Sequence, residues 1–401
     1  MIRIRAEKPP VTLLLNNSPL IFNDSIKAAT MDLTKTAGMN KVNESGVKLG
    51  GDSVSSAYSR YIGRKFTFIF LSILLLILLF LHSIAVGAAN VSVMDVARVL
   101  LGEDLGNSNT IIWQIRLPRA LTAIVAGIGL SVAGVSLQSI LRNPLGSPYT
   151  LGISHAAAFG AAFSVIVLGS GTMRSTGADA VMLNNPYITT AVAFLFSMLT
   201  TFILLAIAKY KGASPEVMIL TGVALSSLFT AGTMFLQYFA DDVQLAAVVF
   251  WTFGDVGRAD WGDLAIISAV VLPSLLYFYL NCWNYNAIDA GDETAKGLGV
   301  DVEKIRLWGM LAASLVTAFI VAFLGVIGFV GLVCPHISRR FVGDDQRFLL
   351  PASCLVGGLL LLASDTAARM MMAPHVLPVA ILTAFMGAPL FLYLLVRGYR
   401  H

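Results

Sequence analysis

The sequence predicts an all-α integral membrane protein with about ten transmembrane helices. Between Lys65 and Arg397 the charged residues leave nine uncharged stretches, and all but one exceed the roughly 20 residues that a helix needs to cross the hydrocarbon core of a bilayer. The chain is 57 % hydrophobic and 12 % charged, with a mean hydropathy of +0.78, whereas soluble domains carry about 25 % charged residues. The stretches are continuous and do not alternate, which excludes a membrane β-barrel.

The first 64 residues differ from the rest of the chain. Lys, Asn, Ser, Asp and Thr are common there, and the apolar run 11–15 is far too short to span a bilayer. Nothing before residue 65 has the apolar core and small-residue cleavage site of a signal peptide. We therefore expect residues 1–64 to form a polar, mostly disordered cytosolic tail, and residues 65–401 to form the transmembrane domain. A later Met as the true start is the alternative.

The apolar stretches divide into ten predicted helices. The longest, 307–338, contains Gly325, Gly328, Gly331 and Pro335, so it is too long and too interrupted to form one straight span. We expect it to form one full span followed by a short half-helix. In chain order the predicted helices cover 66–87, 117–141, 149–168, 187–208, 217–239, 264–281, 307–323, 332–341, 348–369 and 377–396.

The distribution of positive charge predicts the orientation. Arg60, Arg64 and Lys65 precede the first span, and cytosolic segments of membrane proteins carry an excess of Lys and Arg. With this cluster inside, most Lys and Arg residues of the later loops also fall inside, and both termini are cytosolic. The sequence therefore predicts a multi-pass protein of the cell membrane. We call its two faces the predicted inner end and the predicted outer end.

Three of the six arginines at the predicted outer end, where the positive-inside rule disfavours them, call for an explanation. Arg116 and Arg119 flank Pro118 where the second span is expected to begin, and cations at a helix N-terminus oppose the helix dipole. An external anion would account for them, either lipid phosphate or the carboxylates of a docking protein. Arg369 ends the ninth span four residues after Asp365, a spacing that allows an ion pair within the helix.

The segment 281–306 is the longest polar stretch on the predicted inner side. Acidic residues come first, and Lys296 and the small element 297–299 follow. Apolar residues such as Leu298 and Val300 suit a loop that docks onto a cytosolic partner, whereas an ordinary solvated connector would show the same polarity. On the residues alone both interpretations stay open.

Several function classes are disfavoured by missing motifs. No GxxxxGK[ST] phosphate loop occurs, so the chain cannot hydrolyse ATP through that motif, and HExxH and GxSxG are also absent. Asp365 is the only carboxylate inside a predicted span, whereas ion-coupled carriers normally keep ionisable groups at mid-membrane. The modest net charge of +4 gives no indication of nucleic-acid binding.

Neither a metal site nor a cofactor is predicted. Cys282, Cys334 and Cys354 lie in or beside apolar stretches without CxxC spacing, so we expect them to be small core side chains. His336 follows Pro335 in an apolar run, but a single His offers no chelating set.

Two blocks of sequence are similar to those of a known transport family. The first block is RLPR at 116–119 followed by RNPLGSP at 142–148, and the second is GFVGLVCPHISRR at 328–340. The elements GLGV at 297–300 and GAP at 387–389 agree with them. Together they resemble the permease subunit of FecCD-type ABC importers, which are type II importers of iron-siderophores, haem and cobalamin. The resemblance covers almost the whole chain after the tail.

The resemblance implies a fold and a set of partners. It implies a BtuC-like permease of ten helices that forms a homodimer, or a heterodimer with a close paralogue, around a translocation pathway. Two cytosolic ATP-binding subunits would supply the missing phosphate loops, so this chain is not expected to be an enzyme. An extracytoplasmic binding protein would deliver a metal chelate, most often an iron(III)-siderophore, with cobalamin or haem as alternatives. An ion-coupled secondary transporter that acts alone is the competing hypothesis.

The resemblance also assigns roles to individual residues. In the segment that corresponds to the inner gate of the family, Pro215 and Glu216 depart from the residues that are usual there. The implied roles are docking to the binding protein for Arg116, Arg119 and Arg369, coupling to the ATPase for Ala295, Lys296, Gly297, Leu298, Gly299, Val300 and Arg306, and an inner gate for Ser214, Pro215 and Glu216.

Overall fold

The computed structural model describes residues 51–87, 91–170, 186–371 and 376–398. Every regular element within those ranges is helical, which confirms the all-α prediction. Most of the predicted tail lies outside the described residues. The chain divides into two units, Met1–Tyr58 and Ser59–His401, and every contact reported below lies within the second unit.

Fourteen helices make up the described fold, and we number them α1 to α14. In order, they are Gly51–Ala85, Val93–Leu100, Asn107–Ile140, Ile153–Ile166, Pro186–Lys211, Pro215–Tyr238, Asp242–Thr252, Trp261–Leu280, Cys282–Asp289, Asp292–Gly297, Val302–Leu324, Val330–Val342, Gln346–Met371 and Val379–Gly398.

Seven helices in the described ranges are long and apolar enough to cross a membrane, namely α1, α3, α5, α6, α8, α11 and α13. The other three predicted spans also coincide with helices. Of these, α4 has 14 residues and α12 has 13, so neither can cross alone. The half-helix expected at 332–341 is confirmed by α12, which the positive φ of Gly325 and Phe329 separates from α11.

Two predicted boundaries are wrong. Helix α1 begins at Gly51 and not at residue 66, so residues 51–64 are helical. The division between a cytosolic tail and a transmembrane domain at residue 65 stays a prediction. Helix α3 begins at Asn107 and not at Leu117, and it passes through a π-helical segment, Ile111–Arg116. The reason is that helices continue through polar residues that a hydropathy criterion does not count. Arg116 therefore lies inside a helix, and the predicted conflict with the helix dipole does not arise.

Short helices α2 and α7 connect the spans at the predicted outer end, and the hydropathy pattern did not predict them. Both begin with a capping box, in which the first side chain and the third helical side chain each accept a backbone N–H. The pairs are Ser92 with Asp95 and Asp241 with Gln244. Their spacing was a local signal that could have revealed both helices.

Helix α3 is the centre of the fold. In its most apolar window 78 % of the residues are buried, against 17 % for α6. Its neighbours approach closely at glycines, because a Cβ added to Gly134 would overlap the carbonyl of Gly331 in α12, and one added to Gly127 would overlap that of Gly357 in α13. Small residues permit such approach between helices in lipid.

The three cysteines are free and buried, as predicted. Cys334 is fully inaccessible in α12, and Cys282 and Cys354 are nearly so. They fill small spaces between helices and form no disulfide.

Candidate functional site

Two of the three arginines expected to dock a partner, Arg119 and Arg369, share one carboxylate, that of Asp365. Arg119 Nη2 lies 2.8 Å from Asp365 Oδ1, and Arg369 Nε lies 3.1 Å from Asp365 Oδ2. This confirms the ion pair predicted from the spacing of Asp365 and Arg369. Asp255, between α7 and α8, contacts Arg119 at 3.2 Å. Since Asp365 is fully buried, the two guanidiniums offset the cost of placing its charge away from water.

Arg116 and Arg369 also hold the C-terminal end of α1. Arg116 Nη1 donates to the carbonyls of Ile84 and Ala85 at 2.7 Å each, and Arg369 Nη1 donates to the carbonyl of Val86 at 2.8 Å. The last carbonyls of a helix lack partners within the helix and carry partial negative charge. The two arginines therefore fasten the end of α1 to α3 and α13.

These contacts bear on the predicted docking role. Arg116 is 5 % exposed, and the side chains of Arg119 and Arg369 are also largely buried. The structure thus brings the three residues together but engages each guanidinium within the chain. Docking stays a prediction. Sequence reasoning missed Asp255, because 136 positions separate it from Arg119 and leave no local pattern.

The predicted coupling loop folds around a small core of its own. Ala287, Ile288, Ala295 and Val302 are buried together, so helices α9 and α10 pack onto the start of α11. Ala295 is fully inaccessible within this cluster. It anchors the loop and does not face outward.

The turn after α10 presents the remaining loop candidates. Leu298 is 69 % exposed beside the folded core of the loop. Lys296 is exposed, and Gly297 has open space around its Cα. Gly299 has a φ of +83°, which favours glycine, and Val300 packs against the loop core. The turn therefore presents one protruding apolar side chain beside the loop core.

Arg306 differs from the other loop candidates because it points into the protein. It is 4 % exposed. Its Nη1 and Nη2 each lie 2.8 Å from a different oxygen of Asp292, its Nε donates to the carbonyl of Ile140 at 3.0 Å, and its Nη1 donates to that of Ala213 at 3.3 Å. Sequence reasoning missed Asp292 as its partner, since no helical spacing relates the two.

The gate candidates form the start of α6. Ser214 caps this helix by accepting a hydrogen bond from the backbone N–H of Val217, at 3.4 Å. Pro215 occupies the first turn, where its missing N–H costs nothing. The negative charge of Glu216 is stabilised by the positive end of the helix dipole. Helix initiation accounts for all three residue types, and a gating role stays a prediction.

An open cleft of about 570 Å³ joins the gate candidates to the coupling loop. Its walls come from the end of α3, the starts of α6 and α11, and α10. Sequence reasoning treated the two sets separately, and the structure brings them to one place. Charged groups of both signs and the capping serine line the cleft, namely Arg142, Ser214, Glu216, Asp292, Lys296, Glu303 and Arg306.

A second polar junction lies beside the loop. Asp289 accepts hydrogen bonds from Ser139 at 3.1 Å and from Gln346 Nε2 at 2.9 Å. Burial raises the pKa of Asp289. The junction links α9 to the end of α3 and the start of α13.

Potential metal ligands are dispersed in the described residues. No group of three or more His, Cys, Asp or Glu side chains within those ranges could hold a metal ion. The ring of His336 lies against that of Phe391, with centroids 5.7 Å apart.

Comparison with known proteins identifies the family of this chain. The profile of the FecCD transport family matches residues 75–397. The chain belongs to the FecCD transport family. A protein of Methanocaldococcus jannaschii that is named as an ABC transporter permease is 54 % identical to this chain over 350 residues. The match covers 86 % of this chain and 99 % of that protein.

Two further comparisons agree with membership of the FecCD family. The hemin transport system permease protein HmuU of Yersinia pestis is 36 % identical over 82 % of this chain and 94 % of its own length. A solved inward-facing structure, described as a metal-chelate type ABC transporter, has a TM-score of 0.71 and 31 % identity over 83 % of this chain and 99 % of its own. The chain is thus a multi-pass transport permease with an ABC importer fold.

Proposed function

We propose that this permease imports a metal chelate, with an iron(III)-siderophore as the first candidate and haem or cobalamin as the alternatives. The relative from Yersinia pestis is named for hemin, and the solved neighbour is described as handling a metal chelate. Two copies of the chain, or one copy with a close paralogue, surround the pathway. An extracytoplasmic protein delivers the chelate, and two cytosolic ATP-binding subunits supply the energy.

The protruding Leu298 is the observation that carries this proposal. The tip is one exposed leucine on a loop that folds around its own small core, which suits docking onto a cytosolic partner. We assign this tip to a groove of the ATP-binding subunit, with the end of the loop in the cytosol. Movement of that subunit then displaces the loop as a body, because Ala295 ties it to α11.

Reconstitution tests the proposed function directly. Liposomes that contain the permease, its ATP-binding subunits and its binding protein should take up a labelled ferric siderophore only when ATP is supplied. Deletion of residues 297–300 should abolish co-purification of the ATP-binding subunit. Haem and cobalamin serve as competing substrates in the same assay, and transport of one of them alone would replace the siderophore assignment.

The competing hypothesis of an ion-coupled carrier makes the opposite prediction. Such a carrier would accumulate substrate in liposomes that contain only this chain and an ion gradient. The structure offers it little support, since Asp365 is already shared between Arg119 and Arg369 and is not free to bind an ion. Uphill uptake by the purified chain alone would overturn the proposal.

We also propose that the cluster of Arg116, Arg119 and Arg369 contributes to docking of the binding protein. Arg119 is the residue to test, because part of its side chain reaches the surface. Arg119→Glu should lower the affinity of the permease complex for the binding protein at least about tenfold, through loss of one close charge pair. Arg98→Glu, a change at an exposed arginine outside the cluster, is the matched control. Unchanged affinity in a correctly assembled Arg119→Glu complex would contradict docking.

A further inference from the structure

One buried side chain connects three elements at the predicted inner end. Arg306, in the first turns of α11, forms a two-bond ion pair with Asp292 at the start of α10. It also donates to the carbonyl of Ile140, the last residue of α3, and to that of Ala213, just before the gate candidates. We call this set of contacts the Arg306 tie.

The geometry of the tie makes it a strong connection. A planar guanidinium that meets both oxygens of a carboxylate fixes orientation as well as distance, which a lysine could not do. The carbonyl of Ile140 ends a helix, where negative partial charge attracts a cation. Because Arg306 is almost completely buried, loss of Asp292 would leave its charge without compensation.

The elements that the tie joins are flanked by hinge-like residues. Gly212 has a φ of +76° and comes directly before Ala213, and Gly291 has a φ of +116° and comes directly before Asp292. A Cβ added to Gly212 would meet nothing within 4 Å. Residues that absorb backbone rotation at the ends of elements act as hinges. Ala213 and Asp292, two of the residues that Arg306 contacts, therefore each follow a glycine at which the backbone can rotate.

An ordinary ion pair on the same helix provides the contrast. Lys304 and Asp301 lie 2.8 Å apart, two residues before Arg306, but both side chains are exposed. Exposed pairs contribute little to stability, and this one joins no second element. The burial and the four hydrogen bonds of Arg306 are thus particular to that residue.

We infer that Arg306 is a positioning residue that transmits movement of the coupling loop to the segment before α6 and to the end of α3. The inference rests on the proposed function, since it assigns a path for the force that the ATP-binding subunit applies. Displacement of α10 pulls Asp292, and Arg306 carries that displacement to Ala213, so that the first turn of α6 at Ser214 moves with the loop.

The test measures how many ATP molecules are hydrolysed for each substrate molecule imported by the complete transporter in liposomes. Asp292→Asn removes the ion pair but leaves the carbonyl bonds of Arg306. We expect this ratio to rise about fivefold or more, the scale of a lost coupling energy, while the ATP-binding subunits still co-purify. Asp292→Glu, which keeps the carboxylate, should recover most of the coupling. Lys304→Gln is the matched control and should keep the wild-type ratio.

A second variant covers the case in which Asp292→Asn does not assemble. Gly212→Ala leaves Arg306 and Asp292 unchanged but strains the backbone directly before Ala213, because alanine disfavours the positive φ. It should also raise the ratio of ATP to substrate. An unchanged ratio in an assembled Asp292→Asn complex, or in Gly212→Ala where that complex cannot be made, would overturn the inference. Absence of ATP-dependent uptake in the wild-type complex would instead refute the proposed function.

Discussion

Three arginine side chains at the predicted outer end donate hydrogen bonds to backbone carbonyls. Arg116 and Arg369 bond the end of α1, and Arg258 bonds the carbonyls of Phe250, Trp251 and Phe253 at the end of α7. Helix ends leave carbonyl groups without partners, and buried ones need a donor. Arginine supplies several hydrogen-bond donors from one side chain. These residues therefore stabilise the helix ends in addition to any role in docking a partner.

Removal of one such donor should therefore weaken the fold. Arg116→Gln leaves the carbonyls of Ile84 and Ala85 without their buried partner, and we expect a loss of about 1–3 kcal/mol of stability. Thermal unfolding of the purified protein in detergent measures the effect. Arg98→Gln, at an exposed arginine 3.9 Å from Glu103, should stay close to wild type. Equal melting temperatures for the two variants would show that the carbonyl bonds contribute nothing.

Asp345, between α12 and α13, gives a prediction about pH. Hydrogen bonds from Arg347, aided by one from Asn286, lower the pKa of Asp345 to about 2. Since the carboxylate of the unfolded chain titrates near 3.9, its stabilisation is complete above that pH and is lost as the pH falls towards 2. Because Arg347 and Asp345 are partly exposed and solvent screens their pair, the contribution at neutral pH is about 1 kcal/mol or less. Asp345→Asn should melt below wild type at pH 6, and the gap should narrow below pH 4.

Helix packing around α3 depends on the absence of side chains at particular positions. Gly127 and Gly357 face each other, and a Cβ on either would overlap the backbone carbonyl of the other. The adjacent Gly358 is different, because its added Cβ would meet its nearest atom, in Ile124, at an ordinary contact distance of 3.5 Å. Two neighbouring glycines therefore have different roles in the contact between α3 and α13.

Alanine substitution should separate these two roles. Gly357→Ala forces α13 away from α3, and overpacking of this kind costs about 1–3 kcal/mol. Gly358→Ala should be neutral or slightly stabilising, because alanine also favours the helix. Thermal unfolding in detergent compares the pair. A smaller effect for Gly357→Ala than for its neighbour would contradict the close contact.

Sequence patterns predicted the helices better than the contacts between them. Apolar length located the seven full spans, and the glycines of 325–331 revealed the break before α12. The capping boxes of α2 and α7 were present but are short signals beside long apolar stretches. The pairing of Arg119 with Asp365 joins positions 246 residues apart. Such pairs follow from tertiary packing, which no spacing rule encodes.

At the scale of the whole molecule, burial is uneven among the spans. Helix α3 is enclosed, while α6 and α1 leave most of their apolar windows uncovered. In a membrane, lipid or a second copy of the chain covers such faces. The predicted orientation, with both termini and the coupling loop in the cytosol, depends on the charge distribution alone.

Cysteine labelling tests that orientation. Leu298 at the coupling loop and Leu101 at the end of α2 are both strongly exposed. In cells that express the permease without its ATP-binding subunits, Leu298→Cys should react with a membrane-impermeant maleimide only in inverted vesicles, and Leu101→Cys only in intact cells. The three native cysteines are buried, so the background should be low. The reverse pattern of labelling would invert the topology.

The shared carboxylate of Asp365 has a consequence for sequence evolution. Since this one buried group balances two guanidiniums from different helices, a mutation of Asp365 would remove the carboxylate that Arg119 and Arg369 share, and a mutation of either arginine would change the charge balance around it. Natural variants of this permease should therefore keep the trio intact or exchange its members together. In an alignment of related permeases, we expect positions 119, 365 and 369 to covary more strongly than the exposed positions 301 and 304.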